Sequence, residues 1–208
     1  MPDEKQVTPD DALRRLLEGN ARYVSGEMTH PNRIGPERRR ELSGGQSPFA
    51  SVLGCADSRV PPEHLFDAAL GELFVCRNAG NVLTDAALGS FEYAAAHTTC
   101  PLLIVLGHSD CGALTAAVAA AETPTDSESP CIDDLMRRLL PAVLATGGSG
   151  DGDPAARVNA AAAQNVHLVC EQALQRSSIL SNLVESARFR VVGAWYDLGT
   201  GRVSIIRQ

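Results

Sequence analysis

Two cysteines and one histidine follow apolar runs in the central part of the sequence. Cys55 lies in the segment GCADSR at 54–59, and His108 and Cys111 lie in the segment GHSDCG at 107–112. Thiolate and imidazole are preferred zinc ligands, and three such ligands leave one position of a tetrahedral ion open for a reactant. A His-x-x-Cys pair alone is common by chance, and small buried thiols are the alternative interpretation. The additional cysteine favours a catalytic zinc site.

A carboxylate and a guanidinium follow the first cysteine. Asp57 and Arg59 are two residues apart, so their side chains point to one side of an extended segment. An arginine that binds a carboxylate through two hydrogen bonds keeps it ionised and fixed in place. Beside a metal, such a carboxylate can orient the attacking water. A surface ion pair of little energetic value is the alternative, but the closeness of Cys55 favours the catalytic interpretation.

The elements that must position these residues are short buried strands. Apolar runs at 49–54, 72–76 and 102–106 each end at a chemically distinctive segment, and the second run is followed by RNAGN at 77–81. Short apolar runs that alternate with helical patterns are typical of parallel βαβ units. The carboxyl ends of such strands form the edge where open α/β sheets bind ligands. We therefore expect all three segments to meet at one edge.

The fold class predicted from this alternation is α/β. We expect a mainly parallel sheet of about four to five strands flanked by helices, with an N-terminal helical arm. Thr8 and Pro9 predict a helix start, and the apolar spacing continues to about Val24. Pro141 is a candidate end for one later helix. Further helices are predicted at 84–96, 111–121, 132–144, 155–175 and 177–186, and a strand pair at 190–195 and 203–206.

The length of 208 residues predicts one domain. We divide it into a helical arm at 1–45, a zinc-site core at 46–125, and C-terminal helices with the strand pair at 126–208.

Charge and cysteine content exclude several functional classes. The formal net charge of −7 argues against nucleic acid or an anionic membrane as the main partner. No apolar run is long enough to cross a membrane, and the first residues, MPDEK, contain no apolar segment of a secretory signal. The six cysteines are widely scattered, unlike a disulfide framework. We expect a cytoplasmic protein with a small-molecule substrate.

These motifs give the chain a family resemblance. It resembles the β-class carbonic anhydrases from the N-terminal helix through the final strand pair. The residues CADSR at 55–59 are similar to that family's Cys-x-Asp-x-Arg signature, and HSDCG at 108–112 to its His-x-x-Cys-Gly signature. Their separation and the RNAGN segment at 77–81 also match. The resemblance implies a lyase that reversibly hydrates carbon dioxide to bicarbonate and a proton.

The resemblance also implies a role for each motif residue. One Zn²⁺ per subunit would be held by Cys55, His108 and Cys111. The hydroxide that attacks carbon dioxide would be oriented by the pair Asp57 and Arg59.

A substrate pocket is implied by further matches to the same family. In the subgroup with a permanently open metal, a Gln lies nine residues before the first cysteine, and Gln46 has that place. Phe74 and Tyr93 match the apolar wall of the pocket, and Gly112 follows the second cysteine. The other subgroup has a Trp where this chain has Val52, so we expect water rather than Asp57 on the zinc. A plain core role for the two aromatic residues, and a polar turn role for Gln46, fit the sequence equally well.

The amphipathic helix at the N-terminus has no obvious partner surface in one compact domain. The resemblance implies that it packs across a partner subunit, that both chains contribute to the pocket, and that the protein is a homodimer or a homotetramer. Other functions stay open on the sequence alone. Carbonyl sulfide and carbon disulfide are linear substrates open to the same attack, and a zinc protein without catalysis or a redox protein are further alternatives. A redox protein would be expected to carry a Cys-x-x-Cys pair, which this chain lacks.

Overall fold

One sheet forms the centre of the molecule. The computed structural model describes residues 7–29, 35–123, 129–147 and 153–208. Within these ranges five strands pair in the order β2-β1-β3-β4-β5, and only the β4–β5 pair is antiparallel. The predicted α/β class and strand number are confirmed. The strands are β1 (Ala50–Cys55), β2 (Leu73–Asn78), β3 (Leu102–His108), β4 (Arg190–Tyr196) and β5 (Val203–Arg207).

Helices cover both faces of the sheet. In the described ranges none of them combines the length and apolarity needed to cross a membrane. Single 3₁₀ turns at Leu42–Gly44 and Ala79–Asn81 complete the regular structure of this part of the chain. The helices are α1 (Pro9–Ser25), α2 (Pro36–Glu41), α3 (Pro62–Leu65), α4 (Asp85–His97), α5 (Gly112–Glu122), α6 (Pro130–Ala145), α7 (Pro154–Arg176) and α8 (Ser178–Glu185).

Alternation along β3 separates two apolar layers, because successive side chains of a strand point to opposite faces. Ile104 and its neighbours on the same face pack with α1 and α3. Leu103 and Val105 pack on the other face with Phe91 of α4 and Val166 of α7. Every residue of β3 is buried, which explains why its run at 102–106 is apolar at each position rather than at every second one.

A third apolar cluster joins α5, α6 and the start of α7 beyond the end of the sheet. Leu114, Leu139 and Val158 are buried in it together with Cys55 and Cys111. This cluster therefore forms the wall that separates the two thiols from solvent. Pro141 does not end α6, which continues to Ala145. Leu139, Ala142 and Val143 are buried on both sides of the proline, so packing holds the helix together at this point.

The first helix packs on its own chain. Thr8 caps α1, as predicted, by accepting a hydrogen bond from the backbone N–H of Asp11. Leu16 of α1 is buried in the same apolar cluster as Ile104 on one face of the sheet. Asn20 donates to the carbonyls of Leu65 and Gly201 and accepts from the N–H of Val203. The expectation that this helix lacks a partner surface within its own chain is therefore wrong, because amphipathic spacing shows that a face is buried but not against what.

Gly19 lets α1 approach α3 closely, and replacing it tests this docking. A Cβ atom at Gly19 would lie 1.9 Å from the carbonyl oxygen of Phe66. We expect Gly19→Ala to lower the free energy of unfolding by about 2 kcal/mol or more. Gly89 of α4 is the matched control because a Cβ there meets nothing within 4 Å. Gly89→Ala should stabilise the protein by about 0.5–1 kcal/mol. Urea denaturation measures both, and a fully stable Gly19→Ala variant would contradict the docking.

Candidate metal centre

The carboxyl ends of three parallel strands bring together the segments at 54–59, 77–81 and 107–112. Cys55 ends β1 and lies opposite Asn78 at the end of β2. His108 ends β3, the neighbour of β1 on its other side. Cys111 follows after a two-residue turn and forms the N-cap of α5. The three segments therefore meet at the carboxyl edge of the sheet, as predicted.

Cys55, His108 and Cys111 converge on one point. Their candidate ligand atoms all lie within 4.8 Å of one another. The side chains are almost fully enclosed, with relative exposures of 4%, 0% and 1% for the three residues. A tetrahedral zinc ion holds its sulfur and nitrogen ligands about 3.5–3.8 Å apart, so small side-chain adjustments place all three around one ion.

One ring nitrogen of His108 is hydrogen-bonded, and the other has no hydrogen-bond partner among the described residues. Its Nδ1 lies 2.8 Å from the carbonyl oxygen of Ser109, which can only accept, so Nδ1 carries the proton. Its Nε2 is buried without a hydrogen-bond partner among the described residues. Buried polar atoms are rarely left in this state. A histidine that donates through one nitrogen to a carbonyl and offers the other to an ion is the usual arrangement of a metal ligand.

Contact between the two thiols shifts their pKa values in opposite directions. A hydrogen bond from Cys111 lowers the pKa of Cys55 well below its ordinary value. The same contact, together with burial, raises the pKa of Cys111. For His108, burial disfavours the charged form, but the nearby Cys55 thiolate raises the net pKa above its ordinary value. These shifts favour a thiolate at Cys55, and a divalent cation would favour a second one at Cys111.

Backbone N–H groups also stabilise the anionic sulfur. The N–H of Asp57 and the N–H of Gly80 each lie 3.4 Å from the Sγ of Cys55 and donate to it. The thiolate therefore has two donors before any metal binds. The donor set, its burial and its charge all fit zinc.

Asp57 and Arg59 form the predicted pair beside the cluster. The Nε of Arg59 donates to Oδ1 over 3.0 Å, and its Nη2 donates to Oδ2 over 2.7 Å. The backbone N–H of Arg59 donates to Oδ1 as well. The side-chain hydrogen bonds of Arg59 lower the pKa of Asp57 to about 2. The carboxylate is thus ionised at any pH where the protein is expected to work.

Two arginines connect the ligand segments to each other. Arg59 also donates from Nη2 to the carbonyl of Asp110, one residue before Cys111. Arg77, at the end of β2, donates to the carbonyls of Cys55 and Asp57 over 2.8 Å and 2.6 Å. The sequence indicated that the segment at 77–81 matters but gave Arg77 no role. Its role is to fix the backbone on both sides of Ala56.

Asp110 occupies a strained conformation that a distant side chain supports. Its φ is 54°, in the left-handed region that side chains other than glycine rarely adopt. The Oδ1 of Asn159 on α7 accepts a hydrogen bond from its N–H over 2.9 Å. This turn places Cys111 opposite Cys55. Asn159 was not predicted from the sequence, because a single asparagine on a long helix carries no local signal.

The predicted pocket residues fall into two groups. Gly112 is exposed and directly follows Cys111, at the first position of α5. Phe74 lies opposite Ser51, four positions before the pair Cys55–Asn78, and is therefore about 13 Å away along the strand. Gln46 precedes β1 altogether and is exposed. Within one chain, neither Phe74 nor Gln46 reaches the metal ligands.

Tyr93 is exposed on α4. Its side chain is accessible over 54% of its reference surface, and its ring lies 4.9 Å from the ring of His97. Phe74 is half-buried against the layer that contains Leu53 and Phe91. Tyr93 is therefore not a core residue of a single chain, whereas the packing of Phe74 still fits a core role.

The other cysteines form no second cluster in the described part of the chain, and all six are free thiols. Cys100 and Cys170 are buried, as expected for packing residues, and Cys76 is half-buried. Cys131 is exposed on α6, so the expectation of a packing role is wrong for this residue. Its helix turns it outward.

Comparison with known proteins identifies the family. The carbonic anhydrase family profile matches residues 50–203. Carbonic anhydrase 2 of Mycobacterium tuberculosis is 40% identical over 196 residues, which cover 94% of this chain and 92% of that protein. A carbonic anhydrase of Mycolicibacterium smegmatis is 39% identical over 207 residues, covering 99% and 95%. The chain belongs to the β class of the carbonic anhydrase family, whose members are lyases.

Solved structures share the fold. A tetrameric β-carbonic anhydrase of Sordaria macrospora aligns with a TM-score of 0.72 at 24% identity, covering 94% of this chain and 97% of that one. A Coccomyxa β-carbonic anhydrase in complex with acetazolamide aligns with a TM-score of 0.71 at 26% identity, covering 80% and 75%. The sheet and its flanking helices are therefore those of this class.

Removing one thiol tests the ligand set. We expect Cys111→Ser to lose zinc, because a neutral hydroxyl replaces a thiolate that balances the charge of the ion. Cys100→Ser is the matched control: Cys100 is equally buried, and Ser51 and the carbonyl of Leu102 lie within hydrogen-bond distance of its sulfur. Metal analysis should give about one zinc per chain for the control and far less for Cys111→Ser. Full zinc content in Cys111→Ser would remove Cys111 from the ligand set.

Proposed function

We propose that this protein catalyses the reversible hydration of carbon dioxide to bicarbonate and a proton, with one zinc ion held by Cys55, His108 and Cys111. The observation that supports this most strongly is the buried, uncommitted Nε2 of His108 beside two thiols and an ionised carboxylate. Membership of the β-carbonic anhydrase family supports the same reaction. The three ligands leave one position of a tetrahedral ion free, as a catalytic site requires.

A zinc ion bound there would supply a water of lowered pKa as the nucleophile. Asp57 then determines the direction of attack. Its Oδ1 accepts two hydrogen bonds from Arg59 and its Oδ2 accepts one. A carboxylate oxygen has two lone pairs, so Oδ2 retains one acceptor position. We assign this position to the O–H of the nucleophile, whose remaining lone pair is thereby directed at the carbon of the substrate.

Exposure of the pair provides a route to solvent. The side chain of Asp57 is 17% exposed and that of Arg59 is 54% exposed, whereas the ligands are enclosed. Carbon dioxide and the released proton would pass on this side. The Gly112 backbone, next to Cys111, would border the substrate.

Gln46, Phe74 and Tyr93 would complete the pocket from a second copy of the chain. Phe74 lies near the start of β2 and Gln46 lies before β1, both away from the strand ends that carry the candidate ligands of their own chain. The Sordaria relative is described as tetrameric, which supports a homodimer or homotetramer here. The amide of Gln46 would donate a hydrogen bond to the developing oxyanion, and the two rings would form an apolar wall for carbon dioxide. With Val52 in place of a tryptophan, we infer that Cys55, His108 and Cys111 would be the protein ligands of the zinc and that Asp57 would stay off it.

Stopped-flow carbon dioxide hydration on zinc-quantified protein tests the function, and Asp57→Asn tests its mechanism. We expect Asp57→Asn to retain zinc but to lose about 10- to 100-fold in kcat/KM, because the neutral amide loses its charge-assisted contacts. Asp134→Asn is the control, since Asp134 forms an exposed carboxylate–arginine pair on α6. It should keep wild-type activity. Full activity in Asp57→Asn would contradict the orienting role, and sulfide release from carbonyl sulfide without carbon dioxide hydration would contradict the proposed substrate.

The pH dependence follows from the charge of the ligand set. Two thiolates and a neutral imidazole cancel the charge of Zn²⁺, whereas three imidazoles leave it intact and give the bound water a pKa of about 7. We therefore expect kcat to rise with pH through an apparent pKa above about 7. Asp57, with its pKa held at about 2 by Arg59, is ionised throughout this range and does not cause the rise. A profile that is flat from pH 6 to 9 would contradict this assignment.

A further inference from the structure

Asn165 is a buried polar side chain in the middle of α7, with 3% exposure. We propose that Asn165 is a positioning residue that holds the N–H of Gly80 on the sulfur of Cys55 and thereby sets how strongly this thiolate donates to the metal. The inference rests on the proposed zinc site. It assigns a function to a side chain 110 residues away from Cys55 in the sequence.

A chain of two hydrogen bonds connects α7 to the sulfur. The Nδ2 of Asn165 donates to the carbonyl oxygen of Gly80 over 2.9 Å, and both groups are buried. The N–H of Gly80 donates to the Sγ of Cys55 over 3.4 Å. The second donor to this sulfur, the N–H of Asp57, belongs to the segment that Arg77 fixes. Each N–H···S bond therefore has its own support.

The turn that carries Gly80 needs such support. Gly80 has a φ of 68°, and the next residue, Asn81, has a φ of 43°. Side chains other than glycine rarely adopt the left-handed region. The side chain of Asn78 closes the turn by donating to the carbonyl of Val82 and accepting from its N–H. That pair of bonds fixes the ends of the turn, whereas the bond from Asn165 anchors Gly80 itself, the residue whose N–H donates to the sulfur.

Packing around Gly80 leaves no room for a side chain at this position. A Cβ atom there would lie 2.9 Å from a methyl carbon of Leu139 on α6. Leu139 of α6 and Ala113 of α5 therefore enclose the glycine, and Asn165 of α7 adds a polar contact to its carbonyl.

Hydrogen bonds to a ligand sulfur reduce its electron donation to the metal. If Asn165 is truncated, Gly80 loses its anchor, and rotation about its own φ and ψ, which glycine permits, can take its N–H off the sulfur. The thiolate then donates more strongly. In a protein reconstituted with Co²⁺, stronger donation moves the sulfur-to-cobalt charge-transfer absorption to longer wavelength.

Cobalt substitution of the full-length protein tests the proposal. Asn165→Ala should shift the charge-transfer band to longer wavelength and lower kcat/KM of the zinc form about 10-fold. Asn20→Ala is the matched control. Asn20 is buried to a similar degree, at 4% exposure, and also bonds to backbone groups, but on the opposite face of the sheet. It should lower stability and leave the band unchanged.

The position of the cobalt absorption band decides whether Asn165 has the positioning role. A band in Asn165→Ala at the wild-type wavelength overturns the positioning role, even if the variant is less stable. If Asn165→Ala does not fold, Asn165→Ser, whose hydroxyl is too short to reach Gly80, is measured in its place with the same expectation. A wild-type cobalt protein without any sulfur-to-cobalt band overturns the proposed thiolate site itself, and the two failures are thus distinguished.

Discussion

The parallel pairing of β1 with its two neighbours is the constraint on which the rest of the structure depends. It places the carboxyl ends of three strands at one edge, so donors 53 residues apart, Cys55 and His108, become neighbours. Two thiols and an imidazole enclosed by apolar helices are costly to bury unless they are paired or bound to an ion. The sheet brings these groups together, and a cation is the simplest way to satisfy them.

Around this edge the backbone is held by side chains from elsewhere. Arg77 fixes the segment after Cys55, Arg59 connects Asp57 to the turn before Cys111, and Asn159 supports that turn from α7. The reactive groups therefore lie on loops, but the loops are bonded to strands and to a long helix. This is the kind of preorganisation that a catalytic site requires, because an orienting carboxylate displaced by even 1 Å loses much of its effect.

The fold class, the meeting of Cys55, His108 and Cys111, and the ion pair of Asp57 with Arg59 could be predicted because each has a local signal. Apolar runs mark buried strands, and the residue types next to Cys55 and His108 suit one metal. The remaining features depend on contacts that no local pattern contains. Amphipathic spacing in α1 did not reveal that its partner is α3 of the same chain, and Pro141 did not end α6 because buried neighbours outweigh the lost hydrogen bond. Asn165 could not be recognised, since its contact with Gly80 spans 85 residues.

The pocket residues show a different limit. Gln46 and Phe74 were selected by resemblance, and a single chain places both away from its own ligands. Their assignment depends on a second copy of the chain and stays a prediction. The proposed metal site does not depend on this, since Cys55, His108 and Cys111 belong to one chain.

X-ray absorption at the zinc edge counts the atoms around the ion in the active protein and so decides the ligand set. Cys55, His108, Cys111 and a water molecule would give two sulfur ligands at about 2.3 Å and two nitrogen or oxygen ligands at about 2.0–2.1 Å. A coordination shell with no sulfur, with a single sulfur, or with more than two would contradict this ligand set.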